Sequence, residues 1–587
     1  LKSFSKVFSI SLILLFFSVS QGQIYLKTTG QSRPVLQLNF QKQSATWDWQ
    51  QRFMFFADTM RAWRFWVNNV AKSNLIIPSS HEHKWKDENI LKGYFYYHKS
   101  LADLGLYSRS WLQNDRQFSA SNKFSNHTLG LFVRADAAHW YAAPYAGYQQ
   151  AQNRTHVDWG WDIGMSGGVK NITLDTYRAN LDWESNYDFY AKRQNFENKF
   201  NAGIHTRFTP FSGDSLYFRF SENSKQYYVG DSIEQVKIYN RDWYNMLFYR
   251  LSTRNRLEMR THIQSKDITY YNGRNVFLLD QDMRFSHVGR KLNYILTFRT
   301  NDQTQDNAGI KTDSRTRQTA MGIQLTYLFQ KNRYLDVNFS YIKLQYDTPD
   351  TVYNNDDRDE QRFVVTLNYH HRFSPLFVME WHAYTYLFHQ MYIFKEQSAN
   401  NNWNRVYKLS PRLIYHYGPI YNRLKSEVLA NYTVYDFESI LGQQRSFVFR
   451  KYTLSDSLTA HIYQANYAGA FARLELEDKG FFFPKNFAQQ LLQSYKSQFY
   501  NFFVYNDRFM NFRITLGYNM YRRQEWRHVP VKRRTRDITN KGPYISVLYH
   551  RSKRLIFSAS AALSYLNDSA GRSTSYSTGY LRMRYAL

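Results

Sequence analysis

The chain has no cysteine, which removes any disulfide framework and all thiol chemistry. Beyond residue 22 it has no run of about 18 apolar residues, and that excludes a helical membrane protein. It lacks a Pro/Gly-rich linker or a shift of composition, although at 587 residues several soluble domains would be the ordinary expectation. Carboxylates are scarce: 47 Asp and Glu stand against 76 Lys and Arg, a formal net charge of +29. Such an excess first points to nucleic acid. Its distribution argues against that partner, because the cations are spread through the whole chain without a basic tail, zinc-finger spacing or helix-turn-helix pattern.

What is present is one texture: short alternating segments separated by turn residues. Leu36, Leu38 and Phe40 oppose Gln37, Asn39 and Gln41; Leu257, Met259 and Ile263 oppose Glu258, Arg260, His262 and Gln264. The same pattern returns at Val157–Met165, Leu335–Tyr341, Phe363–His370, Ile514–Met520 and Leu555–Tyr565. Side chains of a strand alternate between faces, so this recurrence at spacings near ten residues implies an all-β chain. Aromatic residues make up 18% of the sequence, yet mean hydropathy is only −0.62. A barrel in a membrane reconciles the two, since only every second residue meets lipid and aromatics form girdles at its edges.

The final segment carries the split most sharply. Leu581, Met583, Tyr585 and Leu587 share one face; Arg582 and Arg584 share the other. It resembles the C-terminal strand that outer-membrane β-barrel proteins of Gram-negative bacteria present to their insertion machinery, with Leu587 in place of the usual terminal aromatic. At the other end, Lys2 and Lys6 precede an apolar run from Val7 to Phe17, followed by Ser18, Ser20 and Gly22. This is the order of a secretory signal peptide, and residues 1–22 are assigned to it.

The expectation is therefore a single transmembrane antiparallel β-barrel over residues 23–587, of about 24–26 strands, with short periplasmic turns and longer extracellular loops. Residues 44–127 are the least defined: the aromatic, basic stretch Trp47–Val70 fits strands, a wedge helix or a segment inside the lumen. Long connections are expected at Leu566–Ser575, Arg522–Gly542, Glu477–Gln490, Tyr346–Glu360 and Asn301–Arg317. A barrel of this size without a plug is similar to lipopolysaccharide-exporting barrels and to the porin-like sheaths of multihaem cytochromes. That resemblance implies either a channel or a scaffold around a periplasmic or lumen-filling protein partner.

Candidate functional residues follow from the faces. Arg260, Lys291, Arg299, Arg513, Arg582 and Arg584 fall on polar faces. They would give a basic, anion-favouring lumen, unless they pair with luminal carboxylates as cross-strand ladders. Arg522, Arg523, Arg527, Lys532, Arg533, Arg534 and Arg536 read as an extracellular basic loop. They suit lipopolysaccharide phosphates, or form an ordinary solvated loop. Asp347, Asp350, Asp356, Asp357, Asp359 and Glu360 make an acidic loop without an EF-hand spacing. His81 with His83, and His370 with His371, lack the further ligands a metal requires. No nucleophile elbow or paired-carboxylate motif stands out, so neither enzymatic activity nor a cofactor is expected.

Overall fold

The computed structural model describes residues 35–586 apart from 60–61, 78–82, 117–121, 271–272, 309–312, 351, 353, 510 and 550–553. The signal-peptide segment, Leu587 and His81 lie outside the described residues.

Twenty-eight strands form one sheet. The first sector comprises β1 (Val35–Gln43), β2 (Thr46–Thr59), β3 (Trp63–Ile76), β4 (Lys84–Lys99), β5 (Ala102–Asp115), β6 (Asn122–Asp136), β7 (Trp140–Asn153), β8 (His156–Leu174) and β9 (Tyr177–Tyr190). The second comprises β10 (Gln194–Thr209), β11 (Ser212–Val229), β12 (Ser232–Arg250), β13 (Asn255–Thr269), β14 (Arg274–Val288), β15 (Leu292–Asn307), β16 (Ser314–Gln330), β17 (Arg333–Asp347), β18 (Arg358–Ser374) and β19 (Phe377–Tyr392). The third comprises β20 (Asn402–Tyr417), β21 (Ile420–Tyr435), β22 (Phe447–Tyr463), β23 (Asn466–Phe483), β24 (Ala488–Phe509), β25 (Phe512–Arg527), β26 (Arg533–Tyr549), β27 (Leu555–Asp568) and β28 (Arg572–Ala586).

Each strand pairs antiparallel with its sequence neighbours, and β1 pairs with β28 to close the barrel. At that seam Leu36, Leu38 and Phe40 stand opposite Tyr585, Met583 and Leu581, while Gln37 and Asn39 stand opposite Arg584 and Arg582. One apolar and one polar face therefore run unbroken across the closure. The outer face carries exposed apolar side chains all round, among them Leu104, Leu129, Leu131, Trp161, Phe502 and Leu516. Exposed apolar surface on this scale needs a bilayer to cover it. No helix among the described residues is long and apolar enough to cross a membrane.

The strand number exceeds the expected 24–26, and residues 44–127 account for much of the difference. They contribute most of β2 to β6 to the wall, with no inward segment among the described residues. Strand length explains the rest. A spanning strand needs only about 9–11 residues, whereas most strands here have 14–22. Their ends project beyond the belt into water, where both faces are polar and alternation fades. The stretches read as long loops are mostly such extensions: Arg522–Gly542 contains only residues 528–532 as a connection.

The longest connections, 348–357, 393–401 and 436–446, sit side by side on the rim opposite the one that holds Val35 and Ala586. They brace one another. Ile393 N–H donates to the Asp357 carbonyl (3.0 Å), Asp436 N–H to the Asn401 carbonyl (3.0 Å), and Arg445 to the Ala399 carbonyl (2.8 Å).

Candidate functional site: the lumen wall

A circular barrel of 28 strands, spaced about 4.8 Å and tilted about 40°, would be on the order of 55 Å across. No side chain reaches across such a width. Consistently, the backbones of strands that are not hydrogen-bonded neighbours make at most marginal contact among the described residues. The lumen is lined, not packed, and its chemistry is that of its wall.

The wall from β4 to β8 is sealed. Tyr94, Tyr96, Tyr107, Phe132 and Tyr145 point into the lumen yet are buried, Tyr107 completely. Glycines make this possible. A Cβ at Gly130 or Gly147 would lie 2.6 or 2.5 Å from the Tyr107 side chain, and one at Gly164 would lie 2.5 Å from the Tyr145 ring. The rings lie flat over bare backbone, an arrangement that shields strand glycines. Their hydroxyls reach past the adjacent strand to donate, Tyr107 on β5 to Asp162 on β8 (3.3 Å) and Tyr145 on β7 to Asn186 on β9 (2.5 Å). Arg109 is enclosed among them: its guanidinium stacks on Tyr107 and Tyr145 (4.9 and 5.1 Å) and pairs with Asp162 at 3.6 Å. Arg193 closes the cluster on Asp158 (2.7 Å). The inner face of this sector is covered by its own side chains.

The remaining wall is open, and the expected luminal cations divide there. Arg299 holds Asp280 through two bonds of 2.7 and 2.8 Å, Arg260 lies 3.5 Å from Glu258, and Arg513 holds Asp507 at 2.7 Å. These three belong to cross-strand or same-strand ladders. Lys291 is not on the wall; it lies in the turn between β14 and β15. The turn runs through residue 291 and the strand resumes only at Leu292, so the alternation that would place Lys291 on the wall does not reach it. Arg582 and Arg584, in contrast, have no hydrogen-bonding or ion-pair partner among the described residues. They face the lumen at the seam, where Arg582 joins Lys72, Lys86, Asp48, Glu88 and Asn39 around a recess of about 910 Å³.

The basic segment is not a loop. Arg522, Arg523 and Arg527 end β25; Arg533, Arg534 and Arg536 begin β26; only Lys532 lies in the turn. Alternation divides them between faces. Arg523 and Arg536 face inward, paired with Glu525 (2.9 Å) and Asp568 (2.6 Å). Arg522 and Arg534 face outward and share Asp537 (2.8 and 3.0 Å). Lys496 and Lys541 are on the same outer face by register, Lys541 opposite Met520 at the edge of the apolar stripe and Lys496 opposite Gln524 beyond it. The acidic loop does not converge either: Asp357 accepts the Thr348 N–H, Asp350 the Val352 N–H, and Glu360 lies between Arg358 and Arg362. His370 faces inward against Glu380, so its neighbour His371 faces outward and the two share no site.

No family model matches the chain, and no curated protein does. Among solved structures it is similar to the siderophore receptor PirA of Pseudomonas aeruginosa, with 9% identity over 72% of this chain and 86% of that one and a TM-score of 0.32. It is also similar to the copper transporter OprC (8% identity, 88% and 86% covered, TM-score 0.39). A third likeness is to the translocation pore of the P pilus usher PapC (9% identity, 94% and 99% covered, TM-score 0.31). At such scores none of them bears on solute, partner or mechanism. The placement rests on the molecule itself: a closed antiparallel barrel, apolar outside and polar inside, is an outer-membrane protein.

Proposed function

We propose that the protein is an outer-membrane channel whose lumen passes polar solutes and favours anions. The observation that carries this is the seam, where the Arg582 and Arg584 side chains form no ion pair among the described residues and Arg582 lines a recess that holds Lys72 and Lys86 against Asp48 and Glu88. Unpaired guanidinium groups on the wall of a wet pore raise the local concentration of anions, whereas cations held in ladders are screened by their partners. We infer a second contact on the outer face, where Lys496, Arg522 and Lys541 stand just above the apolar belt. That is the height of lipopolysaccharide phosphates if both termini are periplasmic, the usual topology. No catalytic role forms part of the proposal.

Planar-bilayer recordings under a salt gradient test the channel. The purified barrel should conduct steadily with a reversal potential on the anion side, and Arg582→Glu with Arg584→Glu should move that potential towards cations. A silent protein would overturn the channel in favour of a scaffold whose lumen another protein fills.

A further inference from the structure

Aromatic residues recur in a strip along the lumen face of β24, separated by Ser497 and Asn501. By register, Tyr495, Phe499, Phe503 and Tyr505 all point inward. Tyr495 to Tyr505 is ten residues, about 33 Å of strand at 3.3 Å each, which at barrel tilt matches the height of the apolar belt. Neighbouring strands widen the strip: Tyr467 stacks on Tyr505 at 4.6 Å and Phe471 lies 5.8 Å from Phe499. Unlike the rings of the sealed sector, these are only half-buried. Phe503 lies over Gly469, whose Cβ would come within 2.3 Å of it, so the ring is flat on the wall with its other side towards the lumen.

Ion pairs border the strip along its whole length. Arg523, Arg473 and Arg513 lie over Tyr495, Phe499 and Tyr505 at 4.5, 5.9 and 5.3 Å. Each engages a carboxylate through Nε: Glu525, Glu475 and Asp507 at 2.9, 3.3 and 2.7 Å. Lys451 adds contacts to Glu475 and Glu477 (3.2 and 3.4 Å). At Arg473 and Arg513 the terminal nitrogens have no other partner among the described residues. The border is thus rich in donors and acceptors but close to neutral, unlike the seam.

We propose that this strip is a binding track for a linear, neutral oligosaccharide. A pyranose ring has a flat C–H face and a rim of hydroxyls. The wall offers half-buried aromatic rings spaced along the strand, Phe503 with its lumen side uncovered and the others beside guanidinium groups whose carboxylate partners stand at hydroxyl height. A free anion would gain little from charges that are already paired, and an apolar solute would strand the border groups. A sugar chain uses both. The proposal rests on the channel reading for its purpose, but binding can be read without conduction.

Isothermal titration of the detergent-solubilised barrel with maltohexaose, cellohexaose and hexagalacturonate tests it. At least one neutral hexaose should bind in the micromolar to millimolar range. Phe499→Ala and Phe503→Ala should each weaken it about tenfold or more, while Phe499→Tyr, which keeps the ring, should not. Heat-modifiable gel mobility confirms that each variant is a folded barrel. The track is overturned if neither neutral hexaose binds the folded protein, if hexagalacturonate alone binds, or if the alanine variants bind like the parent. Silence in bilayers with intact hexaose binding would remove the channel reading and leave the track.

Discussion

Replacing Arg109 by Met should destabilise the barrel strongly, and the size of the effect follows from what surrounds it. The Arg109 and Asp162 side chains are only 7% and 6% exposed, so water screens neither. Removing the guanidinium leaves the Asp162 carboxylate with the Tyr107 hydroxyl at 3.3 Å as its named compensation. Breaking a buried pair from one side costs about 3–5 kcal/mol, a loss of between about one hundred- and several thousand-fold in the folding constant. The pair itself is imperfect: its nitrogen–oxygen distance is 3.6 Å, and other guanidinium nitrogens meet ring faces instead of acceptors. Replacing both ends, Arg109→Met with Asp162→Leu, should therefore recover most of the loss, as an apolar substitute for a poorly satisfied pair does. Urea titrations of folding into lipid vesicles, read by heat-modifiable mobility, supply the numbers for the parent, both single variants and the double. A double variant no more stable than Arg109→Met would refute the account of the sealed sector as a buried ion pair under aromatic cover.

The same substitution at two glycines should have opposite outcomes. At Gly130 a new methyl would meet the Ala146 carbonyl oxygen at 2.4 Å and the Gly147 Cα at 2.5 Å, so Gly130→Ala should cost about 1–3 kcal/mol or more in the same titration. At Gly469 it meets only the Phe503 ring, which can lift into the lumen; stability should change little while hexaose binding falls. On the outer face, Lys496→Glu with Lys541→Glu should slow insertion into vesicles containing lipopolysaccharide and leave insertion into phosphatidylcholine vesicles unchanged. Equal slowing in both would remove the lipopolysaccharide contact.

How much of this was legible in the sequence depended on whether the two faces of a strand differ. At the seam they do: Leu36, Leu38 and Phe40 against Gln37 and Asn39 fix both faces, and β28 repeats the split, so closure joins like to like. In β2 they do not. Its outer face carries Trp49, Gln51 and Phe53, its inner face Arg52, Met54 and Phe56, and a period of two is lost. In 522–541 the difficulty is the reverse, since above the bilayer both faces are polar and a strand reads as a loop. The sealed cluster was invisible for another reason. Tyr107, Arg109, Tyr145 and Asp162 come from three strands, β5, β7 and β8, and no single segment shows the contact. One signal was available: in Gly160-Trp161-Asp162-Ile163-Gly164 the outer positions are bulky and apolar while glycine recurs on the inner face. That pattern asks for a large side chain from a neighbouring strand to cover the bare backbone.

Glycine placement also decides which sector of the wall is closed and which is open. Between β6 and β8, inward glycines recur at Gly130, Gly147, Gly160, Gly164 and Gly168 on successive strands, so bulky residues from several neighbours lean over the same bare area. Tyr107 lies against two such glycines and Tyr145 against a third, and the residues beside them, Arg109 and Asp162, fill the gaps until water is excluded. Around β24 the glycines are single: Gly469 under Phe503, and Gly517 under Tyr544. A ring over an isolated glycine shields it with one face and keeps the other for the lumen, because no second ring leans in to cover it. The charged residues differ accordingly. Arg109 is enclosed, whereas Arg473, also beside aromatic rings, is 43% exposed along its side chain. A barrel too wide to be packed across can thus hold a rigid sector and a receptive one in the same sheet, distinguished by where its side chains are missing.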